Sequence, residues 1–379
     1  MRFINPKTDF AFKKIFAIAF CFVLVTSYFF GCSAPTNQPT TYKSFADLTG
    51  LYLSPNSIKD ITPLKDLKKL TKLFLIRTEV DNINRLQFLT NLTELYIVQN
   101  KNILQPGDDS AKPTIDLSKI QHLNKLVKLT IIGNRISDIK PLKFLPKLTK
   151  LNLSNNEITD IEPLKYLTGL TELSLSNNEI SDISILKFLT NLTRLDLGSN
   201  KISQIDPLKF LKHLTALGIS QNQISDLRPL ASLSNLTELS ISQNQISDLR
   251  PLASLSNLTE LYIMYNKISD ISPLRFLTNL TKLDLGTNQI SNIKPLKFLT
   301  NLTHLYLPGN QIKDFRPLRS LTKLTKLHLY DNPLTLKKCP VQPQSICLLE
   351  FHWGNEQMRG VIDREEHQMN NPDSIPIPN

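Results

Sequence analysis

The chain has 379 residues, 41% hydrophobic, 7% aromatic and 20% charged, with 44 Lys and Arg against 33 Asp and Glu for a formal net charge of +11. There is no long charge run, so outside its N-terminus the composition is that of a soluble globular protein and excludes a polyelectrolyte or low-complexity chain. The basic balance admits anionic lipid, cell-wall polymer or nucleic acid as a partner without choosing among them.

Residues 1–31 differ from the rest. Arg2, Lys7, Lys13 and Lys14 precede an apolar run from Ile15 to Phe30, which ends in Gly31-Cys32 and a polar stretch to Thr41. The run is shorter than the ~20 residues of a comfortable membrane span and reads as an export signal or N-terminal anchor. Gly31-Cys32 resembles a bacterial lipoprotein cleavage box, although Phe29 stands where that box usually has Leu. The resemblance implies cleavage before Cys32 and a diacylglycerol on its sulfur; an uncleaved anchor and ordinary signal cleavage stay open. MRFINPKTDFAFKKIF, residues 1–16, resembles the opening of bacterial recombination-promoting nucleases, a transposase-like family. No core able to hold Mg²⁺ follows Phe16, and Asp9 alone cannot supply that chemistry, so the segment reads as a gene-fusion remnant or a misplaced start. Residues 32–44 are a linker.

From 45 to 336 the chain repeats every 22 residues, in about 13 units. In LTKLNLSNNEITDIEPLKYL, residues 148–167, Leu148, Leu151 and Leu153 are spaced for a short strand with one buried face, and Asn156, Ile158, Ile161, Leu164 and Leu167 continue the inward set. One unit cannot bury that set alone, whereas stacked neighbours can. Asn recurs from Asn56 to Asn332, broken only at Thr78, and reads as structural: a column of amides can satisfy the backbone where it leaves each strand. This LxxLxLxxNxI pattern resembles the leucine-rich repeat, and its 22-residue form with IsDIxPL resembles the repeats of bacterial internalins. The implied fold class is an α/β leucine-rich repeat solenoid, with a curved parallel sheet on the concave face and short 3₁₀ or α turns on the convex face. Such a solenoid grows by neighbour contacts, so one long core replaces the two or three domains expected from length.

The unit between Asn100 and Asn134 carries twelve extra residues, with a Pro/Gly loop at Leu104–Pro113. Residues 219–239 and 241–261 are identical, a sign of growth by duplication. Pro-Leu recurs at Pro63, Pro141, Pro163, Pro207, Pro229, Pro251, Pro273, Pro295 and Pro317, as suits the first turn of a helix. After it come Lys65, Lys143, Lys165, Lys187, Lys209, Arg275, Lys297 and Arg319, a basic stripe facing aspartates such as Asp138 and Asp160. It is read as a solvated by-product of the repeat, without interleaved aromatics, and therefore not a nucleic-acid site. Asn-Leu-Thr, a formal glycosylation pattern at Asn91, Asn191, Asn235, Asn257, Asn279 and Asn301, is read as a by-product too.

Cys339 and Cys347 bracket the Pro-rich CPVQPQSIC in a segment, residues 337–351, that resembles the C-terminal part of some bacterial leucine-rich repeat proteins. In an exported protein they read as a disulfide-stapled cap contributing about 2–3 kcal/mol; a thiol metal site lacks its other ligands. The tail, 352–379, is expected to be disordered. Catalytic motifs are absent, and the scattered His, including the diagonal His304 and His328, make no metal site, so the chain reads as a non-enzyme without cofactors or nucleic acid. The expected function is exported, at the cell envelope or outside it: binding a protein, or a polysaccharide, on the concave face, with the N-terminus as membrane tether. The alternatives are a vestigial nuclease fusion or a cytoplasmic regulatory scaffold. Aromatic outward positions mark two ends, Tyr52, Phe74, Ile76, Tyr96 and Val98 at one and Tyr262, Met264, Tyr265, His304, Tyr306, His328 and Tyr330 at the other. The second set is the expected contact surface, with Lys282 and Asp284 as its polar rim.

Overall fold

The structure, a computed structural model, describes residues 48–53, 61–76, 83–98, 115–333 and 339–349. The export segment, Cys32, the nuclease-like opening, the Leu104–Pro113 loop and the tail lie outside the described residues. The chain divides into two compact units, Met1–Leu170 and Thr171–Asn379. The first contains β1 (Gly50–Leu53), β2 (Lys72–Ile76), β3 (Glu94–Val98), β4 (Lys128–Ile132) and β5 (Lys150–Asn152), parallel and in chain order. The second contains β6 (Glu172–Ser174), β7 (Arg194–Asp196), β8 (Ala216–Gly218), β9 (Glu238–Ser240), β10 (Glu260–Tyr262), β11 (Lys282–Asp284), β12 (His304–Tyr306), β13 (Lys326–His328) and β14 (Cys347–Leu348), also parallel and in order. Each is a leucine-rich repeat solenoid.

The return half of the repeats is a five-residue 3₁₀ turn, such as Lys140–Phe144 or Ser272–Phe276, shortened to three residues at Leu117–Lys119 in the repeat with the insertion, and among the described residues no α-helix occurs. The spacing explains the choice. Ile139, Leu142, Leu145 and Leu148 recur every third residue, and three residues per turn eclipses them on one side. All four are buried, and Leu142, Leu145 and Leu148 each donate an N–H to the carbonyl three residues back, at 3.0, 2.9 and 3.2 Å. An α-helix would rotate the same residues off the core by 3.6 residues per turn. Pro at the second position removes an N–H that has no partner inside so short a turn.

The asparagine column carries the backbone where it leaves the strand. Asn222 Nδ2 donates to the carbonyls of Ile219 (3.3 Å) and Ser220 (3.1 Å) in its own turn and of Leu197 (3.0 Å) in the preceding repeat, while its Oδ1 accepts the Ile202 N–H at 2.9 Å. The same set recurs at Asn244, Asn266, Asn288 and Asn310. The residue before the ladder Asn takes a left-handed backbone, φ 58° at Asn155, 55° at Gln221 and 63° at Gly309. Asn134, the first described member, is the exception: among the described residues its buried Oδ1 has no partner, and the residues that precede it by one repeat lie in the insertion, outside the described residues.

Two further ladders escaped the sequence analysis. Thr at the strand entrance, for example Thr237, donates both N–H and Oγ1–H to the carbonyl of Thr215, at 2.8 and 3.0 Å. The Asn of Asn-Leu-Thr reaches back one repeat, Asn257 Nδ2 to Ser234 O at 2.9 Å and Asn279 to Ser256 O at 2.9 Å, so its amide is occupied in binding repeat to repeat. The twelve-residue insertion leaves register untouched, since Leu95 pairs with Leu129 as Leu129 pairs with Leu151.

The aspartates beside the basic stripe are engaged first with the backbone, and Asp314 also feels the charge of the stripe's Arg319. Asp138, Asp160, Asp182 and Asp270 each accept the backbone N–H two residues on, at 2.7–2.9 Å, opening the 3₁₀ turn as an Asx-turn. Asp226, Asp248 and Asp314 do the same and also chelate the guanidinium of Arg228, Arg250 or Arg316. That guanidinium, then the N–H, holds the Asp314 carboxyl down at about 2. The stripe needs one correction, because it does not lack aromatics: Phe144, Tyr166, Phe188, Phe210, Phe276 and Phe298 each follow one of its cations and stand exposed.

The C-terminal end of the second unit is closed by β14, whose Leu348 carbonyl accepts the Leu329 N–H at 2.8 Å, and by a disulfide joining Cys339 and Cys347 with 5.9 Å between their Cα atoms. Cys339 and Val341 are buried there. Among the described residues no helix is long and apolar enough to cross a membrane.

Asn222→Ala orphans the Ile202 N–H and takes one of two donors from the carbonyls of Leu197, Ile219 and Ser220, which keep Asn200 Nδ2, Asn244 Nδ2 and the Ser199 N–H, and the expected loss is about 1–3 kcal/mol by urea denaturation of the full chain. Asn134→Ala removes an amide whose oxygen has no partner among the described residues, so its loss should be the smaller.

Candidate partner-binding surface

Parallel pairing in register lines up one outward side chain per strand, about 4.8 Å from the next. In the second unit this central column runs Ser174, Asp196, Gly218 and Ser240, then Tyr262, Asp284, Tyr306 and His328. The change comes at β10. Before it the column is small or short, and a hydroxyl network ties it together: Ser220 and Ser240 share a bond of 2.8 Å, and Ser242 N–H donates to Ser220 Oγ at 3.0 Å.

From β10 onward the rings close on one another. Tyr306 and His328 meet edge to face with centroids 4.8 Å apart; His304 lies 6.4 Å from Tyr306, and His328 6.2 Å from Tyr330. The Tyr262 hydroxyl donates to Glu260 Oε2 at 2.6 Å, and Glu260 pairs with Lys282 at 3.0 Å. Burial first, and the Glu260 carboxylate second, push the Tyr262 phenol well above the ordinary tyrosine range. It stays a neutral donor.

These contacts revise which of the predicted residues can meet a partner. Tyr262 is 5% exposed and Tyr306 8%, because neighbouring strands leave a flat ring no room except against the adjacent column. They form the floor of the patch. Asp284, expected at the rim, lies between them at 8% exposure, with Oδ1 accepting the Gly286 N–H at 2.8 Å. Lys282 stays half-buried at the side. Met264, His304, His328 and Tyr330 are half-buried, and Tyr265 is 48% exposed. Tyr265 is not on the strand: it occupies the left-handed position before Asn266 at φ 52°, where neighbouring repeats carry Gln243 and Thr287. His304 pairs in register with Lys326 and its Nδ1 shares a 2.9 Å bond with Thr303 Oγ1. Among the described residues no group of three or more His, Cys, Asp or Glu is placed to hold a metal ion.

In the first unit, Phe74 stacks on Tyr96 at 4.4 Å and tilts against Tyr52 at 5.9 Å, while Ile76 and Val98, expected to face outward into solvent, are 5% and 8% exposed. This set covers its own sheet through cross-strand pairing.

The family described as Leucine Rich repeats (2 copies) matches residues 124–166, 168–210, 212–254, 256–297 and 300–338, more than half of the chain. The chain belongs to the leucine-rich repeat family. An internalin, InlF of Listeria monocytogenes, is 33% identical over 78% of this chain and 88% of its own, with a TM-score of 0.64. The functional domain of InlJ from the same organism, which includes a cysteine ladder, is 25% identical over 76% of this chain and 69% of its own, at a TM-score of 0.52. The plant peptide hormone receptor RGFR1, solved in complex with RGF2, shares the fold at 22% identity over 76% of this chain and 52% of its own, with a TM-score of 0.55. Among curated proteins there is no match. The leucine-rich repeats are thus of internalin type, and their fold suggests protein–protein interaction through an extended preformed surface. The nuclease-like residues 1–16 lie outside every matched segment.

A bulky side chain in the left-handed region costs roughly 1–2 kcal/mol, which glycine avoids in part. Tyr265→Gly is therefore expected to stabilise the chain by about 1 kcal/mol in urea denaturation, so Tyr265 is held at a cost to the fold.

Proposed function

We propose that this chain is a non-catalytic interaction protein of the cell envelope, which binds a protein partner on the strand face of its last repeats and is tethered through Cys32. The observation that carries this is the switch of the strand-face column at β10. Residues 219–239 and 241–261 are identical, so the array copies its units, yet directly afterwards the outward positions become Tyr262, Met264, Tyr265, Tyr306 and Tyr330 with His304 and His328. The core stays Leu and Ile through these repeats, apart from Phe315 at the place of Ile293, and does not require it.

Rigid aromatics and a flexible Met offer contact area at little cost in frozen torsions, with the buried Tyr262 and Tyr306 as a preformed floor. The exposed Tyr265 and half-buried His328 and Tyr330 make the contact, and the Glu260–Lys282 pair borders it. A protein is preferred to a polysaccharide because the patch mixes Met with rings that pack edge to face, rather than presenting ring faces to stack on sugars.

The partner is sought by cross-linking and pull-down from the native envelope. With it in hand, Tyr265→Ala plus His328→Ala should weaken binding at least about tenfold, roughly 1.4 kcal/mol, while Gln221→Ala plus Gln243→Ala, at exposed positions like that of Tyr265 in earlier repeats, should change it less than about twofold. Equal affinity in the two double mutants removes this surface from consideration. Tethering is tested separately: Cys32→Ser should release the protein from the membrane fraction, and unchanged fractionation would leave an uncleaved apolar segment as the anchor.

A further inference from the structure

The exposed rings on the 3₁₀ side of the repeats have no part in the strand-face surface. In the second unit Phe188, Phe210, Phe276 and Phe298 are 47–52% exposed, each between two fully buried leucines that fill the inward positions. A cation lies over every ring: Lys187 over Phe188 at 5.1 Å, Lys209 over Phe210 at 5.4 Å, Arg275 over Phe276 at 4.6 Å and Lys297 over Phe298 at 4.9 Å. The first unit repeats the arrangement, with Lys143 over Phe144 at 5.0 Å and Lys165 over Tyr166 at 5.1 Å.

The core does not need these pairs. The duplicated repeats have Ala231-Ser232 and Ala253-Ser254 at the same places and form the same five-residue 3₁₀ turns, Arg228–Ser232 and Arg250–Ser254. Consecutive turns abut there, Ser232 Oγ donating to Lys209 O at 3.4 Å and Ser320 Oγ to Lys297 O at 3.1 Å, and the turns of Phe188 and Phe210 and those of Phe276 and Phe298 are neighbours, so the rings form a row interrupted by the two Ala-Ser repeats. The neighbouring carboxylates of Asp182 and Asp270 accept the N–H groups of Ser184 and Ser272, and Asp206 stands exposed at the start of the Lys209 turn, so the cations over the rings are offset in part.

We propose that this row is a docking surface for an anionic lipid bilayer. A phenyl ring without a polar handle suits the boundary between headgroups and acyl chains, while the adjacent ammonium, on a long stem, reaches the anionic phosphates. A second copy of the chain would present the same cations and be repelled. The net charge of +11 acts in the same direction, as does the apolar run 15–30, which is read as bringing the chain to a membrane. Such docking would lay the array along the bilayer and turn the opposite, strand side of those repeats to the partner; it does not depend on the identity of that partner.

The test uses the full chain with vesicles of phosphatidylcholine, alone or mixed with phosphatidylglycerol. Phe210→Trp in a Trp353→Phe background reports from the site itself, whatever the N-terminal segment does. Its emission should shift to the blue with phosphatidylglycerol vesicles and not with phosphatidylcholine alone. The fourfold variant Lys187→Ala, Phe188→Ser, Lys209→Ala, Phe210→Ser copies the chain's own Ala231-Ser232, so its circular dichroism should match the parent, and its affinity for the anionic vesicles should drop by about tenfold or more. No blue shift, or a folded fourfold variant that binds as tightly as the parent, overturns the proposal. A blue shift with oligodeoxythymidylate but not with vesicles would assign the row to a polyanion and likewise overturn it.

Discussion

The structure depends on satisfying the backbone where it leaves each strand. A 22-residue coil is too short to bury its polar groups in helices or long strands: its strands are three to five residues and its turns five, so most carbonyls and N–H groups lie outside regular ladders. The buried Asn supplies what is missing, with one amide reaching carbonyls of two repeats and accepting an N–H of the earlier one. Without it the leucine core would enclose an unpaired N–H in every repeat, at about 1–3 kcal/mol each. Everything else in the repeat is arranged around that amide, from the left-handed residue just before it to the Asx-turn that begins the return path.

The bonds that hold the array together lie along its axis, not within one repeat. Thr at the strand entrance, the Asn of Asn-Leu-Thr and the ladder Asn all reach to the preceding unit, so each repeat is completed by its neighbour. That is the physical basis for growth by duplication. A copied unit brings donors and acceptors that already fit, as the identical residues 219–239 and 241–261 illustrate. The ends are the exceptional places, and at the C-terminal end a two-residue strand and the Cys339–Cys347 disulfide close the last leucine layer.

Since the core is shared by every repeat, individuality survives only on surfaces the ladders do not use. There are two. On the strand side it is concentrated after β10, where aromatic and His side chains replace Ser and Gly; on the 3₁₀ side it is the alternation of cation–aromatic pairs with Ala-Ser. Neither set belongs to the leucine core that every repeat shares, and Tyr265 holds a backbone conformation that glycine would adopt more readily.

Period and core were determined by the sequence through the recurring Leu, Ile and Asn, and the Pro-Leu step marked a short helical return that the structure makes 3₁₀ rather than α. The ladder Asn was legible as structural for the same reason: no other use explains an amide at every 22nd residue. What only tertiary structure decided was which outward residues remain outward. Strand alternation assigns Tyr262, Tyr306, Ile76 and Val98 to the solvent side, but lateral packing between parallel columns buries all four and moves Asp284 from the rim to the floor. The exposed aromatics were missed in the opposite direction. A Phe between two leucines looks like core in the sequence, and only the 3₁₀ turn, by eclipsing the leucines inward, leaves Phe188 or Phe298 facing out beside its cation. Periodicity determines direction from the backbone; exposure depends on what the neighbouring repeat places alongside.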